Sequence, residues 1–169
     1  MKDTTDDVRR RAAAIEVAVF DVDGVMTDGK LYLHGHGEES KTMHVHDGLG
    51  IQRLQAAGVA VAAISGRPSP AVAARLHALG VDYIYLDSHD KQMDFEALLA
   101  ELELTPERAA VMGDDLPDLG LMRRAGLAMA VADAVPDVRE AAHWISDCKG
   151  GEGAVREACE LIIAARNAH

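Results

Sequence analysis

Only two cysteines, Cys148 and Cys159, occur in the 169 residues. They are too few for a disulfide framework and lack the paired spacing of a zinc site, so a reducing, cytoplasmic setting is expected. Basic charge is also scarce: 17 Lys and Arg stand against 28 Asp and Glu, a net charge of -11. No long stretch is basic enough to hold a nucleic acid or an anionic membrane surface, and neither is expected as a partner. Long apolar runs are missing as well, the longest (Val59 to Ile64) falling far short of the ~20 residues of a membrane span. The Met1 to Arg11 stretch alternates acids with bases and has no apolar centre, unlike a secretory signal. With no repeat, linker or low-complexity stretch, residues 1–169 are expected to form a single domain whose core rests on burial.

What remains is an alternation of short apolar runs with helical patterns, the mark of a parallel sheet flanked by helices. Val17–Asp21, Val59–Ile64, Asp82–Tyr85, Ala109–Met112 and Leu127–Val131 are apolar enough throughout to predict strands buried on both faces. Ser69 followed by Pro70 opens one helix that Gly80 closes, and Asp90 caps another running through Phe95, Leu98 and Leu102. Thr105-Pro106 caps a short turn, a further helix covers Gly48 to Ala57, and the last follows the glycine-rich loop at 149–154. The segment 30–46 departs from this rhythm. Leu31–His34 and Lys41–Val45 alternate around a Gly-His-Gly turn, predicting a protruding β-hairpin whose apolar face (Leu31, Leu33, Met43, Val45) meets another subunit.

The chemistry concentrates at predicted strand ends, where ligands bind in open α/β sheets. Asp21-Val22-Asp23-Gly24 follows the first strand. Gly24 marks a turn that lets the two carboxylates approach one reacting atom from different sides. Two such acids serve phosphoryl transfer, one attacking phosphorus and the other moving the proton of the leaving oxygen and then of water; an aspartate-rich capping turn is the plain alternative. Ser65-Gly66-Arg67 follows the second strand and can hold phosphate oxygens, although Ser-Gly is also an ordinary loop pair. Lys91 follows the third and can neutralise Asp21 and a phosphoryl group, or lie on the surface. Gly113-Asp114-Asp115 with Asp118 follows the fourth, and clustered carboxylates at a strand end favour a bound cation.

This order, Asp-x-Asp, Ser, Lys, Gly-Asp-Asp, resembles the motif set of the haloacid dehalogenase superfamily of phosphotransferases across nearly the whole chain. The resemblance implies a Rossmann-like, doubly wound sheet with helices on both faces. It also implies Asp21 as nucleophile, Asp23 as general acid and base, and Lys91 as a catalytic cation. Phosphate contacts would come from Asp23, Gly24, Ser65, Gly66, Arg67 and Lys91. Mg²⁺ would bind Asp21, Asp114 and the Asp23 carbonyl, with Asp115 and Asp118 orienting Lys91 or water behind them. The intervals between motifs are filled by the hairpin and single helices, leaving no room for a cap domain.

Among capless members, Asp21–Gly29, Gly37-Glu38-Glu39 with Lys41, Asp47–Ile51, Gly113–Leu116 and Gly150–Glu157 resemble the family that hydrolyses 3-deoxy-D-manno-octulosonate 8-phosphate on the way to lipopolysaccharide. That family implies a homotetramer and pairs Arg67 with the carboxylate of the sugar-acid phosphate. Leu86–Asp90 departs from it where a Gln-Gly pair is expected, which keeps open a nine-carbon sugar-acid 9-phosphate as substrate. A receiver-like signalling domain is a further alternative, disfavoured by motif order. The two His-x-His pairs, His34/His36 and His44/His46, could each share a strand face as metal ligands, or simply form a polar hairpin face. Trp144, the cysteines and the methionines are expected in the core or near the tail.

Overall fold

A computed structural model describes residues 5–168. Six parallel strands form the central sheet: β1 (Val17–Phe20), β4 (Ala60–Ser65), β5 (Tyr83–Leu86), β6 (Ala109–Gly113), β7 (Leu127–Ala130) and β8 (Trp144–Ile145). Their spatial order is β5-β4-β1-β6-β7-β8. A separate antiparallel pair, β2 (Tyr32–Leu33) and β3 (Glu39–Ser40), lies outside it. The sheet grows from β1 through β4 to β5, then jumps back to β6 on the other side of β1. The carboxyl end of β1 is therefore the switch point where a crevice opens.

Right-handed crossovers put α2 (Val45–Ala56) and α3 (Pro70–Ala78) on one face. They put α4 (Lys91–Glu101), α5 (Leu119–Met122) and α6 (Pro136–Ala141) on the other. Packing agrees: α7 (Ala154–Asn167) lies against α2 and against α1 (Asp6–Ala13), while α5 lies between α4 and α6. Covered on both sides, β1, β6 and β7 are buried at every position. Phe20, Phe95, Ile15, Leu54 and Met112 fill the interior. The Ser69 hydroxyl accepts from Val72 N–H and the Asp90 carboxylate from Gln92 and Met93 N–H, so both predicted caps hold. No helix among the described residues is long and apolar enough to cross a membrane.

Several expectations need correction. First, β5 is half-buried along its length, because it is an edge strand with only β4 beside it. Second, β8 at the opposite edge had no place in the sequence pattern, and Trp144 is half-buried within it. Met93 on α4 is exposed, outside the core. Third, the hairpin returns through Glu39–Ser40, pairing Tyr32 with Ser40 and Leu33 with Glu39, so Lys41–Val45 is no strand. Met43 instead bridges Thr27 and packs on the core, and Val45 opens α2 three residues earlier than expected. The supposed apolar face is broken by this register, leaving Leu33 and Val45 exposed at 75% and 71%.

Fourth, the histidines do not sit as strand pairs. His34 hydrogen-bonds Ser40 within the hairpin, and His44 caps α2 by accepting from His46 N–H. Among the described residues no histidine joins a group spaced to hold a metal. Both cysteines are free.

Candidate active site

β1 ends at Phe20, and the chain then winds through Val22–Met26 in one wide turn closed by Thr27 N–H donating to the Val22 carbonyl at 3.0 Å. Gly24 adopts a φ of 88° there. A side chain at Gly24 would overlap the Asp114 carboxylate, so the left-handed conformation and the close approach both require glycine. This turn delivers Asp21 and Asp23 at the end of the central strand. Asp21 is 9% exposed, and its N–H donates to the Met112 carbonyl of β6, which fixes its position between the two strands.

Lys91, at the first position of α4, reaches across with its Nζ 2.8 Å from Asp21 Oδ1 and 2.8 Å from Asp118 Oδ1. Burial alone would lower this ammonium's pKa, but Asp21 and Asp118 outweigh it and hold the group above its ordinary value. The other oxygen of Asp118 accepts from Asp114 N–H at 3.1 Å. Asp118 therefore ties Lys91 to the loop after β6. Gly113 leaves the room for this, since a Cβ there would come 2.6 Å from Asp118 Oδ2. Asp115 turns to its own loop and accepts from Leu116 N–H at 2.7 Å, away from Lys91.

Carboxylate oxygens of Asp21, Asp114 and Asp118 lie within 4.8 Å of one another. Burial, followed by the Asp118 charge, pushes Asp21 up to about 6. Burial, followed by the Asp21 charge, pushes Asp114 up to about 8. Both are the response of acids crowded in a partly dry site. Asp118 already has donors on both oxygens, so the oxygens left for a cation belong to Asp21 and Asp114. A hard divalent ion with oxygen ligands fits this donor set.

These shifts have a thermodynamic sign. The folded state holds protons on Asp21 and Asp114 at pH values where the unfolded carboxyls, near 3.8, have lost them. Metal-free protein should therefore lose stability as pH rises from roughly 4 towards 8. A melting series between pH 5.5 and 8 in EDTA should show this fall, and Asp114→Asn should flatten it. Mg²⁺ should restore stability more at pH 8 than at pH 5.5, by about 2.7 kcal/mol at a hundredfold excess over its Kd.

The whole cavity, about 650 Å³, is lined by residues of four strand ends, those of β1, β4, β5 and β6. Ser65 closes β4, 2% exposed, with its hydroxyl accepting from Arg67 N–H at 3.3 Å. Gly66 and Arg67 line the wall, but the Arg67 guanidinium is engaged by Glu39 Oε2 of the hairpin at 2.7 Å. Ser88 contributes a buried hydroxyl with no partner. Next to it Asp87 has a φ of 63°, a left-handed position that glycine would occupy without strain.

One residue of the site carried no role in the sequence reading. Lys41, following β3 with its side chain only 5% exposed, lies 2.7 Å from Asp23 Oδ1 and donates to Oδ2 at 3.0 Å. Its sequence signal was its place, with Gly37-Glu38-Glu39, among the stretches that resemble the family.

The protein-family model that matches residues 83–157 is the haloacid dehalogenase-like hydrolase. Over 162 residues the chain is 44% identical to the 3-deoxy-D-manno-octulosonate 8-phosphate phosphatase of Yersinia pestis, covering 96% of this chain and 87% of that protein. The same-named protein of Escherichia coli K12 is 40% identical over 160 residues, 95% of this chain and 85% of the relative. The crystal structure of the Yersinia pestis phosphatase superposes with a TM-score of 0.94 over 96% of this chain and 88% of that one. That of the Moraxella catarrhalis phosphatase, in complex with a magnesium ion, a phosphate ion and KDO, is 37% identical with a TM-score of 0.94, covering 96% and 94% of the two chains.

Proposed function

Because the chain belongs to the family of 3-deoxy-D-manno-octulosonate 8-phosphate phosphatases, capless haloacid dehalogenase-like hydrolases, we propose that it releases phosphate from that eight-carbon sugar acid in lipopolysaccharide precursor synthesis. The observation that carries this reading is Asp21 at the end of β1, paired with Lys91 and facing Asp114.

In the proposed mechanism a carboxylate oxygen of Asp21 attacks phosphorus. The bond from phosphorus to the sugar oxygen breaks, and the Asp23 carboxyl gives its proton to that oxygen. Water then attacks the phosphoryl group on Asp21, Asp23 takes the water proton, and phosphate leaves with Asp21 restored. Lys91 neutralises Asp21 and the transferring oxygens. Ser65 and Gly66 supply donors to the other phosphate oxygens, whereas the Gly24 N–H, expected to do the same, donates to the Thr27 hydroxyl at 3.2 Å. Asp21, Asp114 and the Asp23 carbonyl would hold magnesium, which would supply the positive charge that draws an anionic substrate to an acidic protein. Arg67 receives the substrate carboxylate as a bidentate pair, exchanging it for Glu39.

A cytoplasmic homotetramer belongs to the same proposal. The exposed Leu33 of the hairpin and the exposed Val45 and Leu49 of α2 support a contact between copies.

The test is phosphate release with and without Mg²⁺ on the eight-carbon 8-phosphate and on a nine-carbon sugar-acid 9-phosphate. We expect strict Mg²⁺ dependence and kcat/KM at least about tenfold higher on the eight-carbon compound. Preference for the longer acid would transfer the assignment to it, and no release from either would refute the reading.

A further inference from the structure

Two acids stand at the end of β1, and each is held by its own lysine from a different part of the chain. Lys91 comes from α4 to Asp21. Lys41 comes from the segment after β3 to Asp23, and unlike Lys91 it touches no other residue of the acid cluster. We propose that Lys41 is a positioning residue for the proton transfers of Asp23, setting the orientation of that carboxylate towards the oxygen that leaves. The proposal rests on the function proposed above and deepens it.

Three observations carry it. Asp23 sits in the wide turn with a ψ of 115°, next to Gly24 at a φ of 88°, and the hydrogen bond to its carboxylate comes from Lys41. Its ammonium straddles the carboxylate, aligned as a hydrogen-bond donor only to Oδ2. Oδ1, although 2.7 Å from the same charge, is buried without a hydrogen-bond donor. With both oxygens within 3.0 Å of one ammonium, the plane of the carboxylate is fixed.

The second observation is burial. A lysine with a 5% exposed side chain gives up much of its hydration, and such pairs add little net stability over apolar packing. A clamp for the hairpin alone would not need a charge there.

The third is connection. Glu39 lies between Lys41 (3.4 Å) and Arg67 (2.7 Å). The Arg67 and Lys41 charges hold the Glu39 carboxyl below its ordinary range, so it stays ionised. An unbroken line of alternating charge therefore runs Arg67, Glu39, Lys41, Asp23, from the arm expected to meet the substrate carboxylate to the group expected to move the proton.

Positioning of an acid has a distinctive kinetic mark. A sugar alkoxide leaves badly without a proton, whereas p-nitrophenolate leaves without one, so only the former depends on an aimed acid. Up to leaving-group departure, kcat/KM isolates this step.

The experiment compares wild type, Lys41→Met and Asp23→Asn on the eight-carbon sugar-acid phosphate and on p-nitrophenyl phosphate, with saturating Mg²⁺. Lys41→Met should lose about a hundredfold in kcat/KM on the sugar-acid phosphate and less than about tenfold on the aryl phosphate, sharing the selectivity of Asp23→Asn. An equal loss on both compounds, or no loss on either, overturns the proposal. If Lys41→Met does not fold, Lys41→Gln, which keeps a neutral donor, carries the same comparison with a smaller but still selective loss expected. Failure of the parent reading has a different signature: wild type would release no phosphate from the sugar acid, or Asp23→Asn would itself be unselective.

Discussion

Asparagine at position 21 is expected to reduce phosphate release by at least about four orders of magnitude, the scale on which removal of a nucleophile acts. The loss should come without a loss of folding. Asp118 still accepts from Lys91, and removing the Asp21 charge relieves its repulsion of Asp114 and Asp118. Asp21→Asn should therefore melt at or above the wild-type temperature in EDTA while releasing no phosphate above background. Phosphate release within tenfold of wild type would reject Asp21 as nucleophile. A large drop in melting temperature would instead reassign the residue as a scaffold element.

The second large effect is expected far along the chain. A side chain at Gly150 would overlap the carbonyl of Gly24, and one at Gly151 would come 2.5 Å from the Thr27 carbonyl carbon. Gly151 N–H also donates to the Val25 carbonyl at 3.0 Å. The loop before α7 is thus pressed directly onto the turn that carries Asp23. Because backbone meets backbone, no side chain can swing aside. Gly150→Ala should cost about 3 kcal/mol or more, within the upper range for point substitutions, which lowers Tm by roughly 6–12 °C for a chain of this size. Activity at a temperature where the variant is still folded should fall too, since the displaced element is the Asp23 turn. A thermal melt and kcat/KM at 20 °C check both; a variant as stable and active as wild type would mean the loop packs elsewhere.

Much of the site can be read in the sequence because its parts are local. Phe20-Asp21-Val22-Asp23-Gly24 announces a buried strand, two acids and a turn within five residues. Ser65, Lys91 and Gly113-Asp114 each follow an apolar run or helix cap that marks a strand end. The parts that escaped are those decided by space. The two residues of β8 are too few to show any period, and they join the sheet because β7 leaves an open edge. Met43 and Val45 alternate as strand residues do, yet one packs beneath Thr27 and the other begins a helix capped by His44.

Lys41 was expected to open a hairpin strand and has no spacing relation to Asp23, so the ion pair between them exists only in three dimensions. The glycines at 150 and 151 were visible as a pattern. Their reason, a lack of room against Gly24 and Thr27, was not.

That contact has a bearing on synthesis. The turn holding both acids leaves the ribosome on the order of ten seconds before the glycines that brace it, at ordinary elongation rates. Until then the acidic turn has no backing, and a nascent or truncated chain ending before Gly150 would bind metal loosely and turn over nothing. Enzymatic competence accordingly waits on the synthesis of Gly150 and Gly151, long after both acids are in place.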